Sequence, residues 1–336
     1  MNLLATRVVA ADIERMTDKL WILHGDRHRT KSSAFWVLLV LAAVIASAGV
    51  VSDSTATVIG AMIVAPLMTP ILGAALALVL ARRRQLLINV GLIVAGAVVV
   101  IVVGYLVGVT HPFPITADNN SQVAGRVSPR LIDLLAALAT GAVGAFALVR
   151  SDISDALPGV AIAISLVPPL AVVGITLESG EPSQSLGALL LFGTNVAAIV
   201  ATGTLVLLLF DVREAAESGG FQVGRMAGRT LAAVAAMVIL VAVPLAAGSL
   251  QAYQQQDVVS QATPIAQSWA RAQGWQIQSV TYQQGALRVE ALGPPPSIDE
   301  TPLRTALDDG GLADVEVRVT LMVGGTRTLP ADPSTG

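Results

Sequence analysis

The stretch DSTATVIGAMIVAPLMTPILGAALALVL, residues 53–80, decides how this chain is read. From Ala56 to Leu80 it carries no charge, and about 20 apolar residues suffice for a helix to cross roughly 30 Å of hydrocarbon. Pro66 and Pro70 nevertheless stand near its centre. Proline has no N–H to donate, so in a continuous helix each would leave the carbonyl four residues earlier, those of Met62 and Pro66, without a partner. An unpaired carbonyl in hydrocarbon is costly and persists only where protein, water or an ion repairs it. The stretch therefore predicts a broken membrane helix beside a polar cavity. The plainer alternative is a kink in a packed helix, with Gly60, Gly73 and Ser165 letting neighbours approach closely.

Comparable apolar runs lie at 34–51, 86–109, 130–149, 156–177, 186–210 and 230–249, which with 56–80 gives about seven spans. Composition agrees: 54% of the 336 residues are hydrophobic and 13% charged, against roughly 25% charged in an ordinary soluble domain. The fold class expected over 33–249 is an all-α polytopic membrane domain. Ahead of it, residues 1–32 set Leu4, Val8, Met16 and Leu20 against Arg7, Arg15 and Lys19 at helical spacing, with Trp21 following. That pattern predicts a cytoplasmic amphipathic helix on the membrane surface. The sequence Ala46-Ser47-Ala48 imitates a signal-peptidase site, but some 30 mostly polar residues precede its apolar run, so an uncleaved first span is expected.

Lys and Arg set the orientation, being retained on the cytoplasmic side of short loops. Arg82, Arg83, Arg84, Arg150, Arg213, Arg225 and Arg229 fall on the side of the basic N-terminal segment, whereas the opposite loops hold Arg126 and Arg130. The N-terminus is expected inside and the C-terminal region outside. There, 250–330 reads as a small extracytoplasmic αββαβ domain, with helices at 260–273 and 299–309 and strands at 277–282, 286–292 and 314–323. Gln284-Gly285 is the expected hairpin, and 331–336 a disordered tail.

Shifting the chain by 99 positions places Asp53 on Asp152, Gly60 on Gly159, Ile63 on Ile162, Leu67 on Leu166 and Pro70 on Pro169. Asn89-Val90 and Asn195-Val196 head similar apolar segments in the third and sixth spans. Repeat one would cover 33–109 and repeat two 129–210, with 230–249 added as a seventh span. Three spans per unit make the second copy enter from the other face, an inverted arrangement common in secondary transporters.

The fifth span repeats the break: Pro168 and Pro169 would release the carbonyls of Ile164 and Ser165. The candidate substrate or ion site is therefore Met62, Pro66, Thr69, Pro70, Asn89, Ile164, Ser165, Pro168, Pro169 and Asn195, whose neutral oxygens suit Na⁺ or a small polar solute; H⁺ is the other coupling ion considered. Asp53, Asp133 and Asp152 are candidate vestibule charges, with a local pair to Arg130 the duller reading of Asp133.

Other chemistries are disfavoured. There is no cysteine, so no disulfide or thiolate; His24, His28 and His111 lie outside the spans without an HExxH pair; and no glycine-rich phosphate loop follows a strand. Neither an enzyme nor a cofactor is expected. The net charge of -3 gives no basic face for nucleic acid, which leaves the lipid bilayer and further copies of the chain as partners.

The strings GAMIVAPLMTPI (60–71), VPPLAVVG (167–174) and GTNVAAIV (193–200) resemble a bacterial family of uncharacterised hydrophobic membrane proteins, domain of unknown function 389, over about residues 30–210. The resemblance implies a bacterial inner-membrane location and carries no substrate. The function expected is secondary transport of a small solute or ion. The alternatives are an oligomeric channel, or a non-transporting sensor or scaffold whose external domain binds a partner.

Overall fold

A computed structural model of the chain describes residues 8–25, 28–150, 166–221, 223–224, 257–283, 286–293 and 299–323. The expected seventh span, the first half of the fifth, the 284–285 hairpin and the 331–336 tail lie outside them. The chain divides into two compact units, Met1–Ala246 and Ala247–Gly336.

The first unit is helical: α1 (Ala10–Leu20), α2 (His28–Val51), α3 (Thr55–Val64), α4 (Met68–Val79), α5 (Arg83–Val109), α6 (Ser121–Val127), α7 (Leu131–Val149), α8 (Val167–Glu178), α9 (Pro182–Leu209) and α10 (Val212–Ser218). Among the described residues, α2, α5, α7 and α9 are long and apolar enough to cross a membrane; α3 and α4, bent by 48° across a short break, make a fifth if taken together. Their outward faces carry Val37, Leu41, Leu87, Val94, Val98, Leu106, Leu186 and Leu209, all exposed. Large apolar side chains all round a helix bundle are what a lipid solvent permits and water does not.

Two sets of polar contacts define the ends of the bundle. At the end where α1 lies, Arg15 Nη2 donates to the Leu148 carbonyl at 3.0 Å, and Arg213 donates to the carbonyls of Val79 and Gly224 at 3.2 and 2.8 Å. At the end where α6 lies, Asn120 donates to the Val50 carbonyl at 2.7 Å, and the Ile115 N–H donates to Ser179 Oγ at 2.9 Å. Followed between these ends, α4 runs toward the α1 end and α8 toward the α6 end. Helices α5 and α9 likewise run in opposite directions.

Helices α4 and α8 correspond closely. Each has 12 residues, their first residues Met68 and Val167 and last residues Val79 and Glu178 both stand 99 apart, and α5 and α9 begin at the same offset. They also stop alike: left-handed residues Ala81 and Gly180 turn the chain, and the N–H groups of Arg82 and Glu181 donate back to the Ala77 and Thr176 carbonyls at 2.8 and 2.9 Å. This closure satisfies carbonyls that a helix end would otherwise strand.

One expectation changes. Helix α1 does not offer its apolar face to a membrane surface: Ile13, Met16, Leu20 and Trp21 are 0–2% exposed, packed in the main core of the bundle. An 11-residue helix that can bury its stripe on protein leaves, among the described residues from 8 to 25, only the flanking Val9 and Leu23 prominent as large apolar side chains.

The second unit has helix α11 (257–272), strands β1 (Gln276–Gln283) and β2 (Ala286–Gly293), helix α12 (Thr301–Leu307) and strand β3 (Glu316–Val323), in the expected αββαβ order. The sheet order is β1-β2-β3, with β1 antiparallel and β3 parallel to β2. Trp269, Trp275, Leu287, Val289, Leu303 and Leu307 fill its core.

Candidate functional site

The prolines do not interrupt helices; they begin or separate them. Pro66 lies in the three-residue connection between α3 and α4, Pro70 is the third residue of α4, and Pro168 and Pro169 are the second and third of α8. In a first turn the missing N–H has no helical acceptor to lose. The Pro66 carbonyl, expected to be stranded, accepts from the Thr69 N–H at 3.2 Å. Met62 belongs to the last turn of α3, where carbonyls lack helical donors in any helix. The polar character of the break thus comes from helix ends, and what α4 presents to its interior start is amide N–H rather than freed carbonyl oxygen.

That start is deep. A 12-residue helix is about 18 Å long, so α4, ending at the α1 end, begins near mid-bundle. Leu67, just before it, is 0% exposed and packs on Gly96, where a β-carbon would come within 2.9 Å of Leu67 Cδ2. Pro70, Pro168 and Pro169 are buried and Thr69 is half-buried. Ile164, Ser165 and Asp152 fall outside the described residues.

The two asparagines separate. Asn195 is buried at the midpoint of the 28-residue α9, at the depth where α8 begins. Asn89 is the seventh residue of α5, two helical turns nearer the α1 end. They stand 106 positions apart, seven more than the helices that carry them, so their shared Asn-Val dipeptide is not a matched position. Asn89 donates to the Gln85 carbonyl at 2.9 Å, and its buried Oδ1 abuts Gly73 without a hydrogen-bond partner among the described residues. Trp21 Nε1 is likewise buried without a partner, and Gln85 Nε2 lies 3.5 Å from His24 Nδ1. A polar neighbourhood under the α1–α2 connection therefore takes Asn89 away from the break. The sequence signal was the spacing of Gln85 and Asn89 on one helix face, which does not reveal what covers them.

Residues 62–201 match the family described as Domain of unknown function (DUF389). Over this segment the chain is similar to DUF389. An uncharacterised protein of Methanocaldococcus jannaschii is 33% identical to the chain over 176 residues, which is 52% of this chain and 54% of that protein. The chain thus spans about half the length of this relative, and since that organism is an archaeon, DUF389 membership alone does not place a chain in bacteria. No solved structure matches. The DUF389 segment takes in α4 to α8 entire, both proline-led helix starts and Asn195, and it leaves out α1 and α2.

Two candidate vestibule charges serve local geometry, Asp133 within this segment and Asp53 just ahead of it. Asp133, in the first turn of α7, accepts from the Arg130 N–H at 2.9 Å and lies 3.6 Å from the Arg130 guanidinium, closing the helix start. Asp53, at φ 50°, accepts from the Ser121 hydroxyl at 2.7 Å and the Gln122 N–H at 3.0 Å, tying the α2–α3 turn to α6. The Ser121 hydroxyl is the chief cause holding the Asp53 carboxyl below its ordinary 3.8; desolvation opposes it, and the Gln122 and then the Ser121 N–H groups add to the lowering. A depressed carboxylate pKa stabilises the fold above the unfolded value, and that contribution is lost as pH falls through the folded one. The melting-temperature advantage of the native chain over Asp53→Asn is therefore expected at neutral pH and should vanish below 3.8. An advantage that persists in acid would remove the carboxylate from this role. Arg126 nearby is held by the Gln122 carbonyl and side-chain oxygen at 2.6 and 3.1 Å, and burial lowers its pKa.

Proposed function

We propose that the chain is a secondary transporter of a small solute, driven by Na⁺ or H⁺, with its N-terminus and the α1 end cytoplasmic and its C-terminal unit outside an inner membrane. Two inverted units, α2–α5 and α7–α9 with the stretch between, would exchange access to one site. The single observation carrying this reading is the pair α4 and α8: equal in length, offset by 99 residues at both ends, starting in the interior and running to opposite ends. Half-helices that begin at mid-depth from opposed directions are how carriers place binding groups at the centre of a bilayer. Such starts are tolerated in lipid only where they are buried in protein or face a cavity. Asn195 is a buried polar side chain at that depth, and its amide can both donate and accept. The basic side chains Arg15, Arg82 and Arg213 at the α1 end support the cytoplasmic assignment.

The test has two stages. Melting the purified chain against a panel of ions and metabolites finds the solute, because a ligand of the folded state raises apparent stability. Saturable uptake of that solute into proteoliposomes should then fall at least about tenfold in Asn195→Ala or Pro70→Ala variants that still fold. Unsaturable flux, or unchanged uptake in both variants, would defeat the transport reading.

A further inference from the structure

We infer that the gate of this bundle is the α4–α9 crossing at the α1 end, and that α1 is the strap which holds it shut. The inference rests on the transport reading but comes from two other observations. The first is a pair of matched crossings. On α5, Gly104 meets α8 so closely that a β-carbon there would stand 2.6 Å from the Ala171 carbonyl oxygen, and Gly174 of α8 meets the α5 backbone at Ile101, Gly104 and Tyr105 in return. Shifted by the 99-residue offset of these helices, Gly104 becomes Gly203 of α9, while Ala171 and Gly174 answer to Leu72 and Ala75 of α4. Gly203 does meet those two residues, but a β-carbon there would lie 3.4 Å from Leu72 Cδ2 and from Ala75 Cβ, an ordinary contact.

Equivalent crossings are thus unequal. At the α6 end backbone lies on backbone, whereas at the α1 end Leu72 and Ala75 hold the helices apart where their counterparts are Ala171 and Gly174. Close backbone contact through small residues is the tight form of helix association in a membrane. A crossing spaced by side chains is the easier one to separate, so from the arrangement seen here the first opening is at the α1 end.

The second observation is what lies over that end. At its N-terminal end α1 reaches α10, where Gly219 lets Ala10 come so near that a β-carbon would stand 2.7 Å from Ala10 Cβ. At its middle, Arg15 donates to the Leu148 carbonyl at the end of α7. At its C-terminal end the Leu20 carbonyl lies against Gly73 of α4, 3.1 Å from a β-carbon position, two residues from Ala75. Helix α1 therefore grips α4 of the first inverted repeat with one end, and α7 of the second repeat and the α10 that follows it with the rest. The repeats cannot part at this end unless α1 lets go, and the end that lets go is the N-terminal one, because Leu20 and Trp21, both 2% exposed, anchor the other in the core.

Because the native chain has no cysteine, introduced thiols report cleanly. The full chain in lipid nanodiscs would be labelled with a charged maleimide at Met16→Cys, 1% exposed beneath the strap, or at Thr69→Cys beside the break. Each is compared with a version pinned by an Ala10→Cys/Gly219→Cys disulfide, whose β-carbons need to move apart only about 1 Å to reach the usual 3.8 Å. Pinning is expected to slow both labelling rates at least about tenfold, and Gly219→Ala, which crowds Ala10, to raise them. Should the pinned chain fail to fold, Gly219→Ala alone decides: unchanged rates there overturn the strap. An unchanged Met16→Cys rate on pinning also overturns it. A slowed Met16→Cys with unchanged Thr69→Cys means water reaches the break elsewhere and overturns the gate. If Thr69→Cys is inert in every form while Met16→Cys responds, the transport reading fails and the strap stands.

Discussion

Gly174→Leu is expected to abolish the folded membrane unit, a loss of more than about 4 kcal/mol, detected as missing monodisperse protein after extraction and a lost melting transition. Overpacking usually costs about 1–3 kcal/mol because surrounding side chains yield a little. Here nothing flexible can yield: the space a side chain would fill is occupied by the Ile101 carbonyl, the Tyr105 N–H and the Gly104 carbonyl carbon, all backbone of α5. Relief requires α5 and α8 to separate, which also pulls Glu178 off Gly108 and breaks the Ile115 N–H to Ser179 Oγ bond. Gly193→Leu is the control. It is an exposed position of α9 with nothing within 4 Å of its β-carbon position, and the same change there should leave the melting transition within about 0.5 kcal/mol of native. Equal tolerance at both glycines would mean that α5 and α8 do not cross as described, and the contrast between the two bundle ends would fall with it.

The elements were legible in the sequence where apolar run length speaks for itself. The runs 34–51, 86–109, 130–149 and 186–210 correspond to α2, α5, α7 and α9, and the strands 277–282, 286–292 and 314–323 to β1, β2 and β3. Pro66 and Pro70 marked the break between α3 and α4 correctly in position but not in chemistry. The rule for an interior proline strands a carbonyl; a first-turn proline strands nothing, and only the location of the helix start distinguishes them. The burial of α1 was illegible for another reason: an apolar stripe is the same whether lipid or protein covers it. The local pair of Asp133 with Arg130, three residues apart, was legible, whereas the partners of Asp53, Ser121 and Gln122, lie far along the chain, and no periodicity brings such groups together. The unequal crossings needed Gly104, Gly174 and Gly203 to be seen against their partners, since a glycine in an apolar run carries no sign of what approaches it.

Asn195→Leu should abolish saturable uptake while the purified chain still extracts as a folded, monodisperse protein. The amide sits 1% exposed at the midpoint of α9, among Leu191, Phe192, Ala198 and Ile199, which are buried and apolar. Leucine is close to the amide in volume and suits a helix, so what the substitution removes at this depth is a group able both to donate and to accept. Asn89→Leu supplies the comparison. Asn89 Oδ1 packs on Gly73 beneath the Leu20 carbonyl, where a branched side chain has no room, so that substitution should lower the melting temperature and loosen α1. If the folded Asn195→Leu chain took up solute as fast as native, Asn195 would be a packing residue of α9 and the solute would be held by other groups.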